Sequence, residues 1–130
     1  MTEKDERWAK WKDELHGFMK FMRDKPRYYK LEGHKAVPIE NNDVIEFAQN
    51  LETVDRQVAL TRLADGVEVS TVFLGLDHNW LGDERGPQIF ETAVFGFAPD
   101  NVQIKRRYST WDEAAAGHEK IVAAIRAAWN

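Results

Sequence analysis

The chain has 130 residues, 43% hydrophobic and 31% charged, with a formal net charge of −4 and no cysteine. That length suits one domain able to bury about two-thirds of the surface its unfolded chain exposes, and the composition is globular rather than disordered. The acidic balance argues against general nucleic-acid binding, and the lack of thiols excludes disulfides, cysteine nucleophiles and thiolate zinc sites.

The opening MTEKDERWAKWKDE is too charged for a signal peptide, and no apolar run is long enough to span a bilayer. A cytoplasmic protein without membrane association is expected. Residues 3 to 24 read as an amphipathic helix: Trp8, Trp11, Leu15, Phe18, Met19 and Met22 recur at three- and four-residue spacing and share one stripe, and Pro26 stops the pattern. Such a stripe either covers a sheet or forms a partner interface. For the second use, with a host protein or another copy of the chain, Trp8, Trp11, Leu15, Phe18 and Met22 are the anchors, since Trp and Met are common at interfaces.

Residues 27 to 40 (RYYKLEGHKAVPIE) read as an extended passage turning at Glu32-Gly33, and Pro38 restricts any strand there to an edge. A shorter helix follows at about residues 43 to 52, with Asn42 as its N-cap and Val44, Ile45, Phe47, Ala48 and Leu51 on its apolar side. The centre is β: residues 56 to 64 and 67 to 76 flank Asp65-Gly66, a two-residue hairpin signal. Residues 88 to 97 give a third strand, and residues 102 to 108 a fourth across the Ala98-Pro99-Asp100-Asn101 turn. Thr110-Trp111-Asp112-Glu113 is a capping box opening a last helix with Trp111, Ala114, Ala115, His118, Ile121, Val122, Ile125 and Trp129 on one side. The expected fold is a single α+β domain. It has an antiparallel β-meander of about four strands, an extra edge strand, and N-terminal, short middle and capped C-terminal helices packed on one face.

Three polar residues interrupt apolar rows. His118 falls amid the stripe of the last helix, where it is either a satisfied core histidine or a ligand-facing one; Thr71, Glu91, Thr92, Arg106 and Tyr108 are its prospective partners. The overlong connection at residues 77–87 carries Asp77, His78, Asn79 and Trp80, a carboxylate-oriented imidazole beside a stacking ring, or else a turn capped by its own side chains. Glu91 shares a strand face with Ile89, Ala93, Phe95 and Phe97. It either pairs with Arg106 or Arg107 on the next strand or sits in a pocket. Phosphate-binding, dinucleotide and nucleophile-elbow motifs are missing, so no cofactor is expected, and the histidines and carboxylates lack diagnostic metal-ligand spacing.

The phrases VSTVFLGLDHNW, IFETAVFGF and RRYSTWDEAAAGH, over about residues 66 to 120, resemble a group of small proteins encoded by tailed phages and prophages. The resemblance implies a phage product made in the bacterial host cytoplasm. It brings no reaction or catalytic residue, and it raises the class of accessory proteins that act on host machinery or defence by binding. The leading expectation is therefore a non-enzymatic accessory protein that binds a host factor or a small anionic, nucleotide-like ligand. The ligand would lie between the last helix and the sheet, on Asp77, His78, Trp80, Glu91, Arg106, Tyr108 and His118. The alternatives are a small metal- or His-dependent hydrolase and a self-associating structural module.

Overall fold

The computed structural model describes residues 3–79, 82, 84–98 and 101–129, with backbone alone at 3–4, 22, 97–98, 101–105 and 129. The chain runs α1 (Glu3–Asp24), β1 (Tyr29–Glu32), β2 (Lys35–Pro38), α2 (Val44–Thr53), β3 (Gln57–Arg62), β4 (Glu68–Phe73), β5 (Phe90–Ala98), β6 (Asn101–Tyr108) and α3 (Trp111–Trp129). Strands β3-β4-β5-β6 form an antiparallel meander, and β1-β2 form a separate hairpin. The α+β architecture with three helices is as the sequence predicts.

Local chemistry accounts for most of these elements. Asp65 and Gly66 take φ of 60° and 76° between β3 and β4, the left-handed values that a type I′ turn asks of its central pair. At the start of α3, the Glu113 amide donates to Thr110 Oγ1 at 3.1 Å, and the Thr110 hydroxyl donates to the Glu113 carboxylate at 3.2 Å. The cap of α2 is Asp43, whose carboxylate accepts from the Ile45 and Glu46 amides. Asn42, the expected cap, is used elsewhere. Its side chain accepts from the Arg27 amide at 2.7 Å and donates to the Lys25 carbonyl at 3.0 Å, clamping the exit of α1.

The β1-β2 hairpin joins the meander through a Tyr28–Leu76 bridge, and the Tyr29 amide donates to Gly75 O at 2.8 Å. Helix α2 rests on β1, with Tyr28 stacked on Phe47 at 4.6 Å. Only Phe47 and Leu51 of its predicted apolar side are half-buried; Val44, Ile45 and Ala48 are exposed.

Helix α3 packs along all four strands of the meander, burying Ala114, His118, Val122 and Ile125. The facing residues are Val67, Val69, Thr71 and Phe73 of β4 and its approach, with Phe90, Thr92 and Val94 of β5. The core falls into two apolar clusters. Leu31, Phe73, Ile89, Phe90 and Ala114 form one, and Val67, Val69, Val94, Val122 and Ile125 form the other.

Helix α1 differs from the expectation that its stripe covers the sheet. Trp8, Trp11, Leu15, Phe18, Met19 and Phe21 are all exposed, Trp8 and Phe21 at 61% each. The meander face that α1 would have used is already taken by α3.

Candidate functional site

His118 is fully buried between the two apolar clusters, one turn from Ala114 and one from Val122. Strand alternation puts Thr71 and Thr92 on the face that meets it. His118 Nδ1 lies 2.8 Å from Thr71 Oγ1, Nε2 lies 2.8 Å from Thr61 Oγ1, and Thr71 Oγ1 lies 2.5 Å from Thr92 Oγ1. The result is a polar layer crossing β3, β4, β5 and α3. Burial pushes the imidazole below its ordinary pKa, partly offset by the Glu119 carboxylate. The neutral ring donates from one nitrogen and accepts at the other, so both are engaged. Thr71 and Thr92 were among the predicted partners. Thr61 was not, although hairpin pairing with Val69 places it on the same sheet face. The core reading of His118 is the one realised, and the ring has no nitrogen left for a ligand.

The connection after β4 holds itself together. The buried Asp77 carboxylate accepts from the Asn79 amide at 2.7 Å and the Gln88 amide at 2.9 Å, and Asn79 Nδ2 donates to Gly86 O at 2.9 Å. Ser109 donates to Pro87 O at 2.5 Å and accepts from Gln88 Nε2 at 3.3 Å. His78 is exposed, its Nδ1 donating to Leu76 O at 3.0 Å rather than meeting Asp77. Desolvation, then the Asp77 charge, raises the pKa of Tyr29 nearby. Trp80 lies outside the described residues.

Glu91 pairs with Arg107 at 3.0 Å. Because Thr92 faces α3, Glu91 points to the opposite face of the sheet. Asp77 and His78 lie beyond the Phe73–Phe90 end of the meander, so the three polar interruptions form three separate local networks. Among the described residues, no group of three or more His, Asp or Glu gathers to hold a metal.

Two of the predicted ligand residues do come together. Arg106 and Tyr108 of β6 line a cleft of about 400 Å³ with Glu113, Gly117, Lys120 and Ile121 of α3. The Tyr108 ring lies over Gly117, so that a Cβ there would overlap the ring and require Tyr108 to move. The buried Tyr108 hydroxyl meets no hydrogen-bond partner among the described residues. Sequence reasoning missed Lys120, whose position two residues past His118 turns it toward the β6 side of α3.

The predicted interface residues Trp8, Trp11, Leu15 and Phe18 lie exposed along α1, with Trp8 and Trp11 stacked at 5.0 Å; the Met22 side chain lies outside the described residues. No described helix is long and apolar enough to cross a membrane. Fold and sites together define a small α+β domain with a sealed polar core layer, a cationic cleft and an uncovered amphipathic helix. No known protein family, curated protein or solved structure matches the chain.

Proposed function

We propose that the protein is a non-enzymatic binding module whose working element is the apolar face of α1. One observation carries this reading: large aromatic side chains on α1 are exposed together, whereas His118, the polar residue amid the α3 stripe, is sealed. Exposed apolar patches of this kind mark interaction surfaces. The resemblance to phage-encoded proteins supports an accessory role in a bacterial host, acting by binding rather than by catalysis.

The test compares wild type with Trp8→Lys/Trp11→Lys, both melted at submicromolar concentration so that no association contributes to stability. Residues that pack on nothing change stability by only about 0.5 kcal/mol, so the unfolding temperature is expected to hold while partner binding is lost. A fall of more than about 5 °C in the variant, which exceeds about 1 kcal/mol for a chain this size, would return the stripe to the fold and end the reading.

A second reading rests on the unpartnered Tyr108 hydroxyl in a cleft that also holds Arg106 and Lys120. A small anion with a stacking ring fits that chemistry. Thermal shift with nucleotides and cyclic nucleotides tests it, and no stabilisation at saturation removes it.

A further inference from the structure

We infer that the occupant of the α1 face is a second copy of this chain, docked as an antiparallel helix pair. The inference rests on the reading of α1 as the binding element and names its partner. Trp8, Trp11, Leu15, Phe18 and Met22 follow a three-four-three-four spacing, the seam of a two-stranded helical pair. Met19 and Phe21 widen the apolar surface at the C-terminal half. The face therefore has a narrow, tryptophan-rich end and a broad Phe/Met-rich end. An antiparallel copy sets each against the other, matching tryptophan rings to flexible methionine and phenylalanine side chains.

Charge selects the direction. The N-terminal turns are net acidic, with Glu3, Asp5 and Glu6 outnumbering Lys4 and Arg7; the exit of the helix is net basic, with Lys20, Arg23 and Lys25 outnumbering Asp24. Antiparallel pairing brings acidic end to basic end and opposes the two helix dipoles favourably. Parallel pairing would instead bring Arg7 against Lys12 of the other copy, the flanking positions that decide orientation in such pairs.

Area agrees with a modest dimer. The six exposed apolar side chains, Trp8, Trp11, Leu15, Phe18, Met19 and Phe21, leave roughly 100 Å² each, or about 600 Å² per copy. A standard interface buries about 800 Å² per partner, so the pair is expected to form in the micromolar range rather than as an obligate dimer.

Sedimentation of the full chain across micromolar concentrations gives the stoichiometry. Because the chain has no cysteine, Ala9→Cys on the exposed outer side of α1 accepts one spin label per copy, leaves the charges untouched and gives the orientation. The expected result is a concentration-dependent dimer with labels about 27 Å apart, combining an axial offset of about 18 Å, from a 1.5 Å rise per residue about a centre at Leu15, with about 20 Å across the pair. Trp8→Lys/Trp11→Lys should be monomeric, with the wild-type unfolding temperature when both are melted well below the dimerisation range. Labels only about 20 Å apart, the interaxial spacing plus the outer half of each helix in a parallel pair, would overturn the antiparallel arrangement. A wild type that stays monomeric at hundreds of micromolar would overturn the second copy as occupant. If the double variant keeps its unfolding temperature in that case, α1 remains a binding element for a different partner. If it loses stability, the reading of α1 fails as well.

Discussion

Replacing His118 by Leu tests the polar layer with little change in volume. In wild type the ring joins Thr61 and Thr71, and Thr71 continues to Thr92. The substitution removes two hydrogen bonds worth about 0.5–1.5 kcal/mol each net. It also leaves the Thr71–Thr92 pair facing an apolar side chain, while half-buried Thr61 can still reach water. A loss of about 2–4 kcal/mol is expected. That is a large share of the roughly 5–15 kcal/mol that holds an average domain together. Adding Thr71→Val and Thr92→Val makes the layer wholly apolar and should recover most of the loss, because a satisfied polar set and a well-packed apolar one are nearly equivalent.

Acid provides an independent check. Burial lowers the folded-state pKa of His118 below 6.5, so the unfolded chain binds its proton first as pH falls. The His118 contribution is then complete above 6.5 and is lost as pH drops from 6.5 through the depressed folded value. Urea unfolding followed by tryptophan fluorescence, above and below that window, measures both effects. Wild type should lose more stability on acidification than His118→Leu does. A substitution cost under about 1 kcal/mol, or identical pH profiles for the two proteins, would refute the sealed-layer account.

Two further substitutions address the loop and the cleft. Asp77→Ala orphans the Asn79 and Gln88 amides and should cost about 1–3 kcal/mol, with hydrogen exchange rising across residues 77–88; protection equal to wild type would show that something other than Asp77 holds the turn. Gly117→Ala should destabilise despite a helix-propensity gain of about 1 kcal/mol, because the Tyr108 ring occupies the Cβ position, and adding Tyr108→Leu should restore the gain. An unaided increase in melting temperature would mean that Tyr108 does not lie over Gly117.

Periodic and local signals carried well from sequence to structure. The Asp65-Gly66 turn, the Thr110–Glu113 cap and the stripe of α3 each depend on neighbours within a few residues. What sequence left open was pairing at a distance. The alternation in IFETAVFGF offers two faces, and only the arrival of α3 selects Phe90, Thr92 and Val94 over Glu91 and its row. Asn42 has good capping chemistry, but the distant Lys25–Tyr28 segment claims its side chain and leaves the cap to Asp43. The apolar spacing of α1 gives a helix but does not say what covers it. Once α3 occupies the inner face of the meander, the answer cannot lie there.

The distribution of polar and apolar groups bears on where function resides. A hydrolase would need polar side chains with spare bonding capacity converging on an accessible point. Here the polar interruptions of the core are closed: His118 by Thr61 and Thr71, Asp77 by two amides, Glu91 by Arg107. Apart from the Tyr108 hydroxyl in the cleft between β6 and α3, the unused surface is apolar and outward, along α1. Covering about 600 Å² there returns on the order of 15 kcal/mol gross per copy at about 25 cal/mol per Å². Association entropy and side-chain ordering consume much of such a gain. On the proposed pairing, that leaves a reversible, concentration-sensitive contact rather than a permanent oligomer.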